Sequence, residues 1–356
     1  MTKETVIVSV PGSPFGIPAG APEIYLGPNT HMRSEGTWLL GVALNMARHG
    51  HETTIIDYQW GNIDKFPLPP NLNLQRGFYG VCDIFIDCGW DLKYAVERFS
   101  GINARHYVHG WGGDPAGSNF LEWQAKTGAK NHYMARTSRC FQKQFFEFPY
   151  SIYMPTPLVD KIKENPNFKS KKMLWGNRGA FDPSYTPASE KVLEFMERHP
   201  EYEYKVLLYS DIEKKAKESG RLDILKRFEN LPHRYLHIPY SGIPHDEFLR
   251  ELSESKILLA NGQPSAHPQT LEAVCYGCIP LIWTFAEHHF QLITGQPVNK
   301  YYDTNGPDGI DQILEEPDKW QDYYDALKTV TLDHEYDNAY NIFMDSIHRK
   351  EMLFHT

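Results

Sequence analysis

The stretch from Ser255 to Trp283, SKILLANGQPSAHPQTLEAVCYGCIPLIW, decides the fold class. Its first apolar run, Lys256 to Ala260, is short and precedes turn-forming residues, a pattern typical of a buried parallel strand. Pro280 to Trp283 is a second such run. The segment between the two runs predicts a helix that Thr270 caps and that stops at Gly277.

This order of strand, loop, helix and strand is the unit from which parallel α/β sheets are built. In such sheets ligands lie at the carboxyl ends of the strands, beside helix N-termini whose free N–H groups favour a phosphate. We therefore expect a phosphate-bearing ligand beside the segment that precedes Thr270.

Length and charge limit the possible classes. A chain of 356 residues suits two domains of roughly 150 to 200 residues. The formal net charge of −9 gives no global electrostatic reason to bind nucleic acid, although it leaves room for a local basic groove.

The sequence also bears on the compartment. No apolar run reaches the roughly 18 to 20 residues that span a bilayer, and the first residues lack the features of a secretory signal. The five cysteines are an odd number without framework spacing, which is typical of a reducing compartment. We expect a cytoplasmic protein without an integral membrane segment, in which Cys275 and Cys278 pack in the core and bind no zinc.

The decisive stretch resembles the donor-site motif of the GT-B nucleotide-sugar glycosyltransferases, in particular retaining family four. Leu271-Glu272-Ala273, Gly277 and Pro280 match that motif in register. The resemblance implies an α/β fold of two Rossmann-like parallel-sheet domains that face a central cleft. It also implies that Glu272 holds the ribose hydroxyls of the donor.

One position departs from the family pattern. The first Glu of the motif, which contacts the donor sugar, falls on Pro264 in this chain. His267, Gln269 and Thr270 are the residues that could supply hydrogen bonds in its place.

The first part of the chain resembles the opening of many GT-B chains. Val6 to Val10 predicts a strand, Pro11 to Pro28 is a loop rich in Gly and Pro, and Thr37 to Arg48 has helical spacing. The resemblance implies that the helix start faces the cleft. Gly36 is then a donor-binding candidate, and the acceptor-binding candidates are His31, Arg33 and Glu35.

A later strand of this domain, Ala104 to His109, carries His109 at its carboxyl end, before a glycine-rich turn that includes Asp114. His109 resembles the GT-B histidine that contacts the donor sugar, and we take it as a catalytic candidate. The alternative is a histidine satisfied by backbone hydrogen bonds beside a tight turn. Asp114 is a further acceptor-binding candidate.

Domain boundaries follow from the same resemblance. We predict an acceptor domain over residues 1–157, a nucleotide-sugar domain over 158–332, and a C-terminal helix over 333–356 that returns to the first domain. The lysine-rich residues 161–172 are interpreted as a linker. Residues 211–228 are predicted to form one charged helix.

Two further donor-site candidates lie in the second domain. Arg178 follows the first strand of that domain and resembles the family arginine that neutralises the diphosphate, since a guanidinium suits a phosphate. We therefore take Arg178, like His109, as a catalytic candidate. The alternative is a surface ion pair. Tyr240 stands where the family holds the nucleobase and could stack on it, although an exposed tyrosine is an equal alternative.

The resemblance implies a metal-independent hexosyl- or pentosyltransferase that retains configuration. It would use a nucleotide-sugar, expected to be a UDP-sugar, as co-substrate and would need no other cofactor. The acceptor would be a glycan, a glycolipid or a small molecule. Two alternatives remain: Leu271 to Trp283 also resembles the phage α-glucosyltransferases that modify hydroxymethylated cytosine in DNA, and the missing Glu fits a catalytically degenerate sugar-nucleotide-binding protein.

Overall fold

The structure is a computed structural model. It describes residues 3–9, 35–56, 68–75, 80–88, 101–110, 132–135, 147–148, 156–175, 186–209, 212–231, 234–238, 245–259, 268–281, 311 and 314–354. The chain divides into two compact units, here called unit 1 (Met1–Pro155 with Asp333–Thr356) and unit 2 (Thr156–Leu332). Within the described ranges, no helix is long and apolar enough to cross a membrane.

Unit 1 contains a parallel sheet. Its described strands are β1 (Thr5–Ser9), β2 (Glu52–Ile56), β3 (Leu72–Leu74), β4 (Gly80–Cys88), β5 (Ile102–Gly110), β6 (His132–Ala135) and β7 (Glu147–Phe148). They lie in the order β3-β2-β1-β4-β5-β6-β7, and every pairing between them is parallel. Val8 of β1 aligns with Ile55 of β2 on one side and with Ile86 of β4 on the other.

Unit 2 contains a second parallel sheet with the same pattern of strand order. Its described strands are β8 (Lys172–Trp175), β9 (Glu203–Tyr209), β10 (Arg234–Ile238), β11 (Ile257–Leu259) and β12 (Ile279–Leu281). Their order is β10-β9-β8-β11-β12. Numbered within the unit this is 3-2-1-4-5, the Rossmann order. The two parallel sheets confirm the predicted α/β class.

Helices accompany both sheets. In the described ranges they are α1 (Glu35–Arg48), α2 (Thr156–Val159), α3 (Thr186–Arg198), α4 (Ile212–Glu218), α5 (Leu222–Glu229), α6 (His245–Glu254), α7 (Pro268–Cys275), α8 (Pro317–Asp333) and α9 (Tyr336–Phe354). Because a parallel sheet needs helical cover on both faces, its strands are apolar runs rather than alternating ones. β11, with all three residues buried, shows this pattern.

The core of unit 1 is built by α1 and α9 against the sheet. Ala43 and Met46 of α1, Ile55 of β2, and Tyr340 and Phe343 of α9 are all buried in one cluster. The Nδ2 of Asn45, also on α1, donates a 2.8 Å hydrogen bond to the carbonyl of Tyr336, the first residue of α9. The last helix of the chain is therefore part of the unit 1 core.

Three local predictions differ from the structure. The charged segment 211–228 forms two helices, because Gly220 adopts a φ of +70° and ends the first of them. The prolines within residues 64–73 predict a loop over that whole range, but its last two residues, Leu72 and Asn73, belong to β3. Residues 161–172 are not a free linker: they belong to unit 2 and pack against the rest of it through the hydrogen bonds described below.

Candidate functional site

The carboxyl ends of β8 and β11 mark the topological switch point of the second sheet. From β8 the chain builds outward through β9 and β10 and then returns to the other side of β8 as β11. Trp175 and Leu259, the last residues of these two strands, are aligned with each other. Ligands in open α/β sheets bind outside this point, and the helix that follows β11 is α7.

The start of α7 differs from the prediction. The helix begins at Pro268, so Thr270 is its third residue and not its N-cap. Proline is favoured at the first helical position because its fixed φ suits the helix and its missing N–H would have no helical partner there. The predicted donor-binding residues Gln269, Thr270, Leu271 and Glu272 therefore all lie within the helix.

Glu272 lies in the middle of α7 and is fully buried, with an exposed fraction of 0%. Its neighbours Leu271, Ala273 and Val274 are buried as well. Burying a carboxylate costs free energy unless polar partners compensate for the lost water. Because helical side chains generally lean toward the N-terminus of their helix, we expect this carboxylate to lean toward the end of α7 that follows the switch point.

Gly277 ends the helix, as predicted. Its φ is +76°, a conformation that favours glycine. The N–H of Gly277 donates to the carbonyl of Val274 at 3.0 Å, and the N–H of Cys278 donates to that of Ala273 at 2.9 Å. These two bonds form a Schellman motif, which satisfies carbonyls that the helix leaves without partners.

The segment of residues 160–171 lies against this end of α7. The side-chain nitrogen of Asn167 is 3.1 Å from the carbonyl oxygen of Tyr276, and its backbone N–H donates to the carbonyl of Gly277 at 2.8 Å. A Cβ atom on Gly277 would lie 2.8 Å from Cδ of Lys163 and 3.0 Å from Oδ1 of Asn167. Gly277 is thus required by its φ and also by the closeness of this segment.

Cys275 and Cys278 are both fully buried, and burial raises the pKa of both thiols. Both side chains pack in the core of unit 2, as predicted from the sequence. In the part of the chain that the structure describes, no group of three or more His, Cys, Asp or Glu residues is arranged to hold a metal ion.

In unit 1 the structure describes the backbone of three predicted site residues. Glu35 and Gly36 are the first two residues of α1. His109 is the penultimate residue of β5, aligned with Asp87 of β4 and Met134 of β6. It therefore lies at the carboxyl edge of its sheet, as predicted.

Other predicted site residues lie outside the described ranges, and their roles stay predictions. They are Arg178, Tyr240 and His267 of the donor set and His31, Arg33 and Asp114 of the acceptor set. Asn167 belongs to no recognisable sequence motif. Its contacts join positions 86 to 109 residues apart in the chain, and no local pattern reveals such contacts.

Comparisons with known proteins support the fold. The sequence matches no protein-family model and no curated protein. Several solved structures have a similar fold, and two of them align over almost the whole chain. AviGT4, a glycosyltransferase involved in avilamycin A biosynthesis, aligns with a TM-score of 0.54 and 10% identity over 97% of each chain. An α-glucosyltransferase in complex with UDP and a 13-mer DNA aligns with a TM-score of 0.54 and 12% identity over 97% of this chain and 100% of that one.

At these identities the similarity concerns the fold alone. The chain has the GT-B fold with its two Rossmann-like units, which confirms the predicted fold class. The cleft expected between the two domains stays a prediction.

Proposed function

We propose that this protein is a glycosyltransferase that moves a sugar from a nucleotide-sugar, a UDP-sugar, to an acceptor. The observation that carries the proposal is Glu272: a fully buried carboxylate on α7, the helix that follows β11 at the switch point of the second sheet. A carboxylate is suited to accept hydrogen bonds from both hydroxyls of a ribose. The GT-B fold and the motif around Glu272 support this role.

The remaining donor contacts follow from the position of α7. The diphosphate would lie at the N-terminus of this helix, where Gln269, Thr270 and Leu271 belong to the first turns and Arg178 supplies positive charge. His267 would contact the sugar and Tyr240 the base. Charge develops on the diphosphate as the glycosidic bond breaks, and preorganised N–H groups and a guanidinium stabilise that charge.

The acceptor would be bound by residues of the first domain. His31, Arg33, Glu35 and Asp114 are the candidates, with Gly36 and His109 near the donor sugar. Of these residues, the structure describes the backbone of Glu35 and Gly36 at the start of α1 and that of His109 near the carboxyl end of β5. We propose retention of configuration and assign no nucleophile, metal or further cofactor.

Several classes of acceptor fit the proposed site, and we favour a glycan, a glycolipid or a small molecule. DNA is the second candidate because Leu271 to Trp283 resembles the phage DNA α-glucosyltransferases. A solved structure of similar fold also contains UDP and DNA. The net charge of −9 argues against DNA as the first choice.

We propose that the protein acts in the cytoplasm. Cys82, Cys275 and Cys278 are free thiols in the structure. Free buried cysteines without a disulfide framework are typical of a reducing compartment.

A panel of UDP-, GDP- and ADP-sugars in a donor-hydrolysis assay tests the proposal. We expect turnover of the UDP-sugar, and we expect Glu272→Gln to raise the KM for this donor while it preserves the shape of the side chain. Glu251→Gln is the matched control. Glu251 is a buried carboxylate of the same unit, 3% exposed, but it lies on α6 and pairs with Lys205 of β9.

Four outcomes are informative. Hydrolysis that Glu272→Gln impairs and Glu251→Gln leaves intact supports the glycosyltransferase. Stimulation by hydroxymethylated DNA in a parallel set would favour DNA as the acceptor. Nucleotide binding without turnover would favour a degenerate binding protein, and a folded protein that neither binds nor hydrolyses any donor would refute the proposal.

A further inference from the structure

We propose that Asn167 is a positioning residue for nucleotide binding: it fixes the C-terminal end of α7 and, through this helix, the carboxylate of Glu272. This inference rests on the proposed function, because Asn167 can affect nucleotide binding in this way if Glu272 binds the nucleotide. Asn167 itself lies outside the donor site. The segment of residues 160–171 then acts as a fixed support for the donor-binding helix.

The side-chain amide of Asn167 joins the C-terminal ends of two helices. Its Nδ2 atom lies 3.1 Å from the carbonyl oxygen of Ser253 and 3.0 Å from that of Ser255, at the end of α6. It also lies 3.1 Å from the carbonyl oxygen of Tyr276, at the end of α7. The last carbonyls of a helix have no partners within it, so one amide group caps α6 and α7 together.

The other polar groups of Asn167 are used as well. Its backbone N–H donates to the carbonyl of Gly277 at 2.8 Å, and its carbonyl accepts from the N–H of Ser170 at 3.0 Å. Its Oδ1 accepts a 2.8 Å hydrogen bond from the ammonium of Lys163. Because Lys163 contacts the oxygen, the NH2 group must face the helix carbonyls, and the amide has one orientation.

The segment that carries Asn167 is itself held by α8. The hydroxyl of Tyr324 lies 3.2 Å from the carbonyl oxygen of Lys163 and 3.0 Å from that of Val274, a residue of α7. Lys328 donates to the carbonyl of Glu164 at 3.2 Å. The 160–171 segment and α8 thus both support α7, and they contact its C-terminal end.

A short helix transmits this restraint directly. α7 has eight residues, so it is only about 12 Å long. The N–H of Tyr276 donates to the carbonyl of Glu272 at 3.2 Å, which makes the capped end and the buried carboxylate neighbours across one helical turn. A tilt at Tyr276 therefore displaces Glu272, and a carboxylate that must meet two hydroxyls tolerates little displacement.

The test uses UDP and isothermal titration calorimetry on the full chain. Asn167→Asp keeps the shape of the side chain and the oxygen that faces Lys163, but it removes both N–H donors and turns a negative oxygen toward three carbonyls. We expect the Kd for UDP to rise about tenfold, within the range usual for substitutions that act on a ligand through packed contacts. In the hydrolysis assay the KM for the UDP-sugar should rise while kcat per folded molecule is retained.

Asn71→Asp is the matched control. The Nδ2 of Asn71 likewise bridges two backbone carbonyls, those of Ala47 and His51, each at 2.6 Å, but it does so in unit 1. We expect this variant to lose stability and to bind UDP like the wild type. A residue with a purely structural role lowers the folded fraction and leaves the KM unchanged, so the two roles give different results.

A double-mutant cycle tests whether Asn167 acts through Glu272. In the Glu272→Gln background, Asn167→Asp should have no further effect on the Kd for UDP, because coupled residues are not additive. Should Asn167→Asp fail to fold, Lys163→Met removes the contact that orients the amide. It should weaken UDP binding about threefold, at the lower end of the same range.

The inference is overturned if folded Asn167→Asp, or folded Lys163→Met in its place, binds UDP as tightly as the wild type. An effect that is fully additive with Glu272→Gln also overturns it. A wild-type protein that binds no UDP refutes the proposed function instead, so the two failures are distinguishable.

Discussion

The Nε2 atom of His51 lies 2.6 Å from the hydroxyl oxygen of Tyr340, and both side chains are buried in unit 1. The Nδ1 of His51 accepts a 3.2 Å hydrogen bond from the N–H of Glu4. Nε2 therefore carries the hydrogen atom of the neutral ring and donates a hydrogen bond to the hydroxyl oxygen of Tyr340. Since Tyr340 belongs to α9, this contact fastens the last helix of the chain to the residues that precede β1 and β2.

Removing the hydroxyl of Tyr340 should destabilise the protein. Tyr340→Phe leaves the Nε2–H of His51 buried without its acceptor, which costs about 1 to 3 kcal/mol. Urea denaturation measures the change. Tyr276→Phe is the control because its hydroxyl bonds Lys161 in an exposed position, and we expect it to change stability by at most about 0.5 kcal/mol. Equal effects of the two variants would contradict the role of the His51 contact.

The same contact predicts a pH dependence. Burial, followed by repulsion from His49 and His348, lowers the pKa of His51 below its usual 6.5. The unfolded chain then takes up a proton on His51 more readily than the folded one, so the folded state loses stability as the pH falls below about 6.5. Burial raises the pKa of Glu4, and this group therefore acts in the opposite direction, gaining stability for the fold as the pH falls through its raised pKa.

Comparing the stability of the wild type with that of His51→Gln isolates the contribution of His51 to the pH dependence. The free energy of unfolding of the wild type minus that of the variant should decrease between pH 7.5 and pH 5.5. A difference that stays constant or increases over this interval would show that His51 does not titrate as its burial requires.

Gly277 and Gly220 form a matched pair for the close approach at the end of α7. Both have a positive φ, +76° and +70°, so an alanine at either position costs about 1 to 2 kcal/mol in backbone conformation. A Cβ on Gly220 meets no described atom within 4 Å, whereas one on Gly277 would crowd Lys163 and Asn167. Thermal unfolding should show Gly277→Ala to be the more destabilising, by about 1 kcal/mol or more. Equal costs would mean that the 160–171 segment moves away freely.

Two ion pairs of unit 2 differ in burial and should differ in energy. Lys205 contacts Glu251, whose side chain is 4% exposed, whereas Lys172 contacts Glu254 at 2.5 Å with both side chains more than 40% exposed. Lys205→Met leaves the buried carboxylate of Glu251 with the exposed Arg250, at 4.0 Å, as a cationic contact, and should cost about 1.5 to 3 kcal/mol. Lys172→Met should cost at most about 1 kcal/mol. Denaturant titrations of both variants compare them, and a cheaper Lys205→Met would contradict the assignment of Glu251 as a buried charge.

Much of the fold could be predicted from the sequence because parallel strands are short, apolar and β-branched. Val6 to Val10 and the runs on either side of α7 are of this kind, and Gly277 marks a helix end through its positive φ. Other signals that depend on one residue predicted the helix boundaries less well. Gly220 breaks a charged stretch that otherwise reads as one helix, and Pro268 starts α7 earlier than the capping pattern of Thr270 suggests.

The candidate site could be predicted only in part. Its local motif indicated Glu272 and the helix around it. The contacts of Asn167 could not be predicted, because its partners are carbonyl groups at the ends of two helices, and a backbone carbonyl has no signature in the sequence. β3 was missed for a related reason: Leu72–Leu74 is a three-residue edge strand that follows two prolines, and its pairing with β2 defines it more than its composition does.

The most direct test of the central claim compares the affinities for UDP and 2′-deoxy-UDP. If Glu272 accepts hydrogen bonds from the ribose hydroxyls, the wild type should bind UDP about 10 to 100 times more tightly, because hydrogen bonds to a charged group contribute about 1.5 to 3 kcal/mol. Glu272→Gln should remove most of this preference, and Glu251→Gln should keep it. A preference that survives Glu272→Gln, or a folded wild-type protein that binds neither nucleotide, would contradict the account.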